Sequence, residues 1–171
     1  MPDSAGSPAN GGQVTGPAWY APKRWIYRGG RPGRAAKAMN AFTAALYANG
    51  ILSSSRGIRL EVRGRQSGKP VSLPVVVADY QGSRYLVSML GSQASWVRNV
   101  RAAGGQATLV RRGRHQVRLV EVPVDQRAPI LRRYLDVAPG ARPHIPVSRN
   151  APVEQFELIA AQFPVFRIDD R

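Results

Sequence analysis

Two strand-like runs, 58–63 and 71–77, are joined by Gly64-Arg65-Gln66-Ser67-Gly68-Lys69-Pro70, and this arrangement limits the fold more than any other stretch of the chain. In the first run Ile58, Leu60 and Val62 alternate with Arg59, Glu61 and Arg63, the period of a strand with one face in a core. The second run is apolar and continuous except for Pro74, which cannot donate to a ladder. Pro74 therefore marks an edge, a bulge or a place where the sheet opens. The turn puts two glycines, two cations and a hydroxyl where backbone N–H groups and fixed charge can converge on an anion. The same residues also suit a hairpin loop whose charges face water.

Further strands are expected over 84–89, over 107–111 and 115–122 as a hairpin around Arg112-Gly113, and over 163–168. Three helices interrupt them. Ser92 can cap one that runs to 103 and stops at Gly104-Gly105, Asp125 can cap one that runs to 136, and Pro152 can open one that runs to 162. In the first of these, Trp96 and Asn99 share one face while Val97 and Val100 share another. Short antiparallel strands with few, separated helices predict an α+β, mainly β fold, a barrel-like sheet with peripheral helices. A doubly wound parallel sheet would need strict alternation of strand and helix.

The first 16 residues are rich in Ser, Gly, Pro and Asn and read as a disordered tail. Residues 17–50 hold an aromatic and basic segment, Trp19-Tyr20-Ala21-Pro22-Lys23-Arg24-Trp25-Ile26-Tyr27-Arg28, then a helix over 34–48 with Met39, Phe42 and Leu46 at helical spacing. That helix suits packing on the body; a peripheral contact with anionic lipid is the alternative. Residues 51–171 form the expected barrel domain. No run of about 18 apolar residues occurs, so a cytoplasmic, soluble chain is expected. The absence of cysteine excludes disulfides and thiolate chemistry, and two histidines without ligand spacing offer no metal site or triad.

The formal charge of +15 is unevenly placed. Residues 1–55 carry six basic and one acidic side chain, 56–118 twelve and two, and 119–171 seven and seven. Charge concentrated in the first two thirds favours a polyanionic ligand over a uniformly basic surface.

The turn Gly64-Arg65-x-Ser67-Gly68-x-Pro70, then Pro74, the run Trp96-Val97-Arg98-Asn99-Val100-Arg101-Ala102-Ala103-Gly104-Gly105 and the closing Phe163-Pro164-Val165-Phe166-Arg167 resemble, in that order, the deazaflavin-dependent nitroreductase family. These are actinobacterial split β-barrel proteins that use the reduced deazaflavin coenzyme F-420. The resemblance spans 51–168. It implies an FMN-binding-like split β-barrel and hydride transfer from reduced F-420 to a quinone, nitro or activated-alkene acceptor. It also implies that the turn holds the cofactor's phosphate and acidic tail through Arg65, Ser67, Lys69 and the backbone of Gln66 and Gly68, with Gly64 opening the turn. Pro74, Val75 and Val76, with Ser88, Met89 and Leu90, would lie along the tricyclic ring; Trp96 and Asn99 would close over it. Members often carry cations where this chain has Gln66 and Val71, and a longer connection than 91–94. Such barrels often pair, so a homodimer is one implied state.

Other readings keep the barrel and exchange F-420 for FMN or haem, or make the protein an F-420 carrier without turnover. A basic nucleic-acid-binding protein using Arg111-Arg112-Gly113-Arg114 is a further alternative. It lacks an exposed aromatic pair for stacking or a helix-turn-helix pattern, so no specific nucleic-acid partner is expected. No acid, base or nucleophile constellation stands out. Tyr20, Tyr27, Tyr47, Tyr85 and Tyr134 are the candidate proton donors, and for each the structural reading is the stronger one.

Overall fold

The computed structural model describes residues 57–171. The expected tail over 1–16, the aromatic segment and the helix over 34–48 lie outside the described residues.

Six strands close into an antiparallel barrel: β1 (Gly57–Arg63), β2 (Pro70–Tyr80), β3 (Ser83–Val87), β4 (Gln106–Val110), β5 (Arg114–Glu121) and β6 (Val165–Asp170). Their order around the barrel is β1-β2-β3-β6-β5-β4. This is the mainly β split-barrel architecture expected from the strand spacing and the resemblance. β1 and β2 form the predicted hairpin, with Leu60 opposite Leu73 and Arg63 opposite Pro70. Alternation in β1 puts Leu60 and Val62 inside, where they join Leu73 and Val75 of β2, Leu109 of β4, Val117 and Leu119 of β5, and Phe166 and Ile168 of β6.

β2 is apolar on both faces for a physical reason. Leu73 and Val75 face the barrel interior, while Val76 and Ala78 face a second core built on the outside by helix α2 (Ala128–Val137) and helix α3 (Val153–Glu157). The partners there include Leu131, Tyr134, Leu135 and Phe156.

Pro74 sits opposite Arg59 of β1, but β3 pairs with β2 only from Val77 to Tyr80. One edge of β2 is therefore open at Pro74, which is why a residue without an N–H is tolerated inside an 11-residue strand.

Helix α1 (Ser95–Ala102) packs Trp96, Val97 and Val100 into the barrel core. An eight-residue helix does not persist alone; burying Val97 and Val100 stabilises it by about 2 kcal/mol each. Its end was legible: Gly105 N–H donates to the Val100 carbonyl and Gly104 N–H to that of Arg101. Its start was not, because Ala94 rather than Ser92 occupies the cap position, with no side-chain cap. Likewise Asp125 lies within a 3-10 turn (Val124–Gln126) and caps nothing, and α2 begins at Ala128. Pro152 does open α3, but the helix stops at Glu157 and a separate 3-10 turn (Ala160–Gln162) follows. β3 also ends at Val87, which leaves Ser88 and Met89 in the following turn rather than in a strand.

Candidate cofactor site

The glycine-rich turn closes on itself. Gly68 N–H donates to the Gly64 carbonyl and Gly64 N–H to the Lys69 carbonyl, both at 2.8 Å. Lys69 N–H donates to Ser67 Oγ at 3.3 Å. A Cβ on Gly64 would stand 2.9 Å from Ser67 Oγ and 3.1 Å from the Lys69 carbonyl oxygen, so the tight closure requires glycine there. Gly68 has φ +66°, in the left-handed region. Its N–H, expected to face a ligand, is instead spent on the turn. The N–H groups of Gln66 and Ser67 have no protein acceptor among the described residues, so the backbone donors move to those two positions. Side chains at 65–69 are exposed.

The turn is tied to α1. Asn99 Oδ1 accepts from the backbone N–H of Arg65 at 3.3 Å and from its Nη1 at 3.0 Å. Asn99 is 5% exposed. One helical turn earlier, Trp96 is 7% exposed and its ring lies 5.5 Å from that of Phe166 at 57°. The expectation of a ligand face carrying Trp96 and Asn99 opposite a core face is thus corrected. Trp96 belongs to the same core as Val97 and Val100, on the face of the short helix opposite the exposed Ser95, Arg98, Arg101 and Ala102.

Where β2 and β3 part, the barrel seam opens into a narrow apolar cleft of about 20 Å³, room for one water and less than a tricyclic ring fills. Pro74, Val75, Val76, Met89, Leu90 and Trp96 line it, six of the residues expected along a tricyclic ring. Leu73, Val87 and Tyr134 complete the lining and escaped the sequence reading. Tyr134 comes from α2, and its spacing with Ile130 and Leu131 signals only core; burial raises its phenol pKa, so it stays protonated. Ser88 is not on the lining: its Oγ donates to the Gly91 carbonyl at 2.8 Å and its N–H to the Pro164 carbonyl at 2.9 Å. It shapes the loop that carries Met89 and Leu90.

The turn and its surroundings carry cations without carboxylate partners. Among the described residues, eight arginines pair with carboxylates: Arg59, Arg84, Arg101, Arg114, Arg127, Arg133, Arg149 and Arg167. Arg63, Arg65, Lys69 and Arg98 have no carboxylate within ion-pair distance, and neither do Arg111, Arg112, Arg118, Arg132, Arg142 and Arg171 elsewhere. The first four sit on the turn, the strand end entering it, or the position before Asn99. A larger hollow of about 340 Å³ lies on the outer face, lined by Tyr80, Tyr85, Gln126, Ile130 and Arg167 among others. Its charges are already matched, Arg167 by Asp169 and Glu121 by Arg101 and Arg127, so it offers no free cation for an anionic cofactor. No group of metal-ligating side chains occurs among the described residues.

A closed antiparallel barrel of six strands with helices outside it is a split-barrel fold. A protein of unknown function from Agrobacterium tumefaciens shares the fold, with TM-score 0.51 and 15% identity over 75% of this chain and 54% of that one. An F-420-H2 dependent reductase matches at TM-score 0.46 and 15% identity, over 67% of this chain and 95% of that one. A haem-binding protein from Mycobacterium smegmatis matches at 0.48 and 17%, over 75% and 51%. The chain thus spans about half the length of two of these three. No curated protein matches. The model of the F-420H(2)-dependent quinone reductase family matches residues 41–155, and the chain belongs to that family. It is an oxidoreductase that depends on reduced F-420.

Proposed function

We propose that the protein transfers a hydride from reduced F-420 to a quinone, and that nitro compounds and activated alkenes are accepted by the same open site. The observation that carries the reading is the juxtaposition of uncompensated cations on the 64–69 turn with an apolar cleft at the β2–β3 seam. The cofactor has the matching chemistry, an apolar ring joined to a phosphate and an acidic tail, and the cleft must widen to take the ring. Arg65 and Lys69 would hold the phosphate, with the free N–H groups of Gln66 and Ser67; Ser67 Oγ and Gly64 keep the turn closed. Pro74, Val75, Val76, Met89, Leu90 and Trp96 would receive the ring.

When bound, reduced F-420 supplies the hydride donor. The chain's own residues bind, orient and exclude water. The apolar walls displace solvent from one ring face, and the rigid barrel holds them in place. Charge-assisted hydrogen bonds of about 1.5–3 kcal/mol each fix the acidic end. Tyr134, kept neutral by burial, adds a protonated phenol to the lining without adding charge.

Titration of the protein with oxidised F-420 and with FMN, followed by fluorescence, tests the reading. Saturable F-420 binding is expected, weakened about tenfold by Arg65→Ala and by Lys69→Ala. Turnover with a quinone, a nitroaromatic and an activated alkene then ranks the acceptors. Saturable binding of FMN but not F-420, or F-420 binding indifferent to both substitutions, would overturn the assignment.

A further inference from the structure

Asn99 is an unusual residue for its place. Asparagine is a poor helix former because its side chain competes with the backbone, yet it occupies the middle of an eight-residue helix and is 5% exposed. Its orientation is fixed by its partners. Both groups that reach it, the Arg65 backbone N–H and the Arg65 guanidinium, are donors, so the atom facing them is the carbonyl oxygen. The amide nitrogen points away from Arg65's N–H groups and has no acceptor among the described residues. It is also not among the fully enclosed polar atoms that lack a partner. A buried amide therefore keeps two N–H donors open toward the exterior beside an unpaired guanidinium. Nothing in packing alone calls for that: a leucine or alanine would fill the position without an open donor.

We infer that Asn99 is the positioning residue of the anion site. Its Oδ1 holds Arg65 in place before the ligand arrives, and its Nδ2 donates to the same anion that Arg65 binds. The inference rests on reading the turn as the cofactor's anion site. It assigns to Asn99 a role at the phosphate rather than over the ring. Only one edge of the Arg65 guanidinium is used by Asn99, so the other remains for the ligand. Because Trp96 lies one turn earlier on the same helix and lines the cleft, the anion contact and the ring wall are held on one rigid piece.

Asn99→Asp separates this from a purely structural latch. The variant keeps the acceptor for Arg65, and so the latch, while it removes both donors and adds a negative charge facing the anion. We expect it to fold as the parent by circular dichroism and to bind F-420 at least about tenfold more weakly. The deazaflavin chromophore without phosphate and tail should bind it as it binds the parent. Inorganic phosphate should compete with F-420 less effectively in the variant. F-420 affinity within twofold of the parent would overturn the inference, as would an equal loss for F-420 and the bare chromophore, which would put Asn99 at the ring. If Asn99→Asp does not fold, an Arg65→Ala and Asn99→Ala double-mutant cycle decides. Coupling between the two in F-420 affinity supports the inference and additivity overturns it. Failure of the site reading itself shows separately, as F-420 binding that Arg65→Ala leaves unchanged.

Discussion

At Gly68 the shape of the turn rests on one backbone angle, φ +66°, which costs an L-residue about 1–2 kcal/mol. Gly68→Ala should therefore lower stability to urea by about 1 kcal/mol, and Gly68→Asn by less, since asparagine tolerates the left-handed region. Equal losses for both would show that space rather than φ decides; a Cβ there meets only the Arg63 side chain, at 3.5 Å. Individual residues were readable where chemistry is local. Arg65, Ser67 and Lys69 declare a cationic turn by composition and spacing alone. The grip of Asn99 on Arg65 was not readable, because the two are 34 positions apart and no periodicity links a hairpin turn to a helix. Ser88, which the resemblance puts along the ring, spends its hydroxyl on a carbonyl three residues on, a contact no local pattern announces.

Three elements meet around Arg127. This guanidinium, 7% exposed, joins the end of β5, the start of α2 and the 3-10 turn before β6. Its Nε donates to the Val122 carbonyl at 2.8 Å, Nη1 to that of Ala160 at 3.4 Å and Nη2 to Glu121 at 3.1 Å. Arg127→Met takes the guanidinium donor from the Val122 carbonyl, while the Ala160 carbonyl keeps the Phe163 N–H, and should cost about 2 kcal/mol in chemical denaturation. Glu121 is held mainly by a two-pronged hydrogen bond from Arg101 and secondarily by Arg127, which keeps its carboxyl below the usual carboxylate range. A carboxyl depressed in the folded state stabilises above its unfolded pKa, about 4.3, and loses that contribution as pH falls through the folded value. The stability gap between the parent and Glu121→Gln should thus be full at pH 7 and shrink on acidification through and below the unfolded pKa; a gap constant from pH 7 to pH 3 would contradict the ion-pair account. Strands were legible as elements because alternation survives burial. Helix starts were not, because Ser92 and Asp125 are good caps that the packing of α1 and α2 leaves unused.

For the molecule as a whole, the decisive property is the placement of charge. Positive charges on 119–171 are equalled by acidic ones, while 56–118 carry ten more basic than acidic side chains. Exposed cations act through solvent and are screened by salt, with a Debye length near 10 Å at 0.1 M. F-420 affinity should fall as ionic strength rises, and more steeply than affinity for the bare chromophore; parallel slopes would show that the turn's cations do not touch the acidic end. The sequence by itself determined the strands, the turn chemistry, the charge asymmetry and, through the order of its motifs, the family. These depend on period, composition and near neighbours. Tertiary structure alone decided that the seam opens at Pro74, that Trp96 is mostly core, that Tyr134 reaches the cleft and that Asn99 holds Arg65. Barrel closure sets which distant residues become neighbours, and no local pattern encodes a register between strands far apart in the chain.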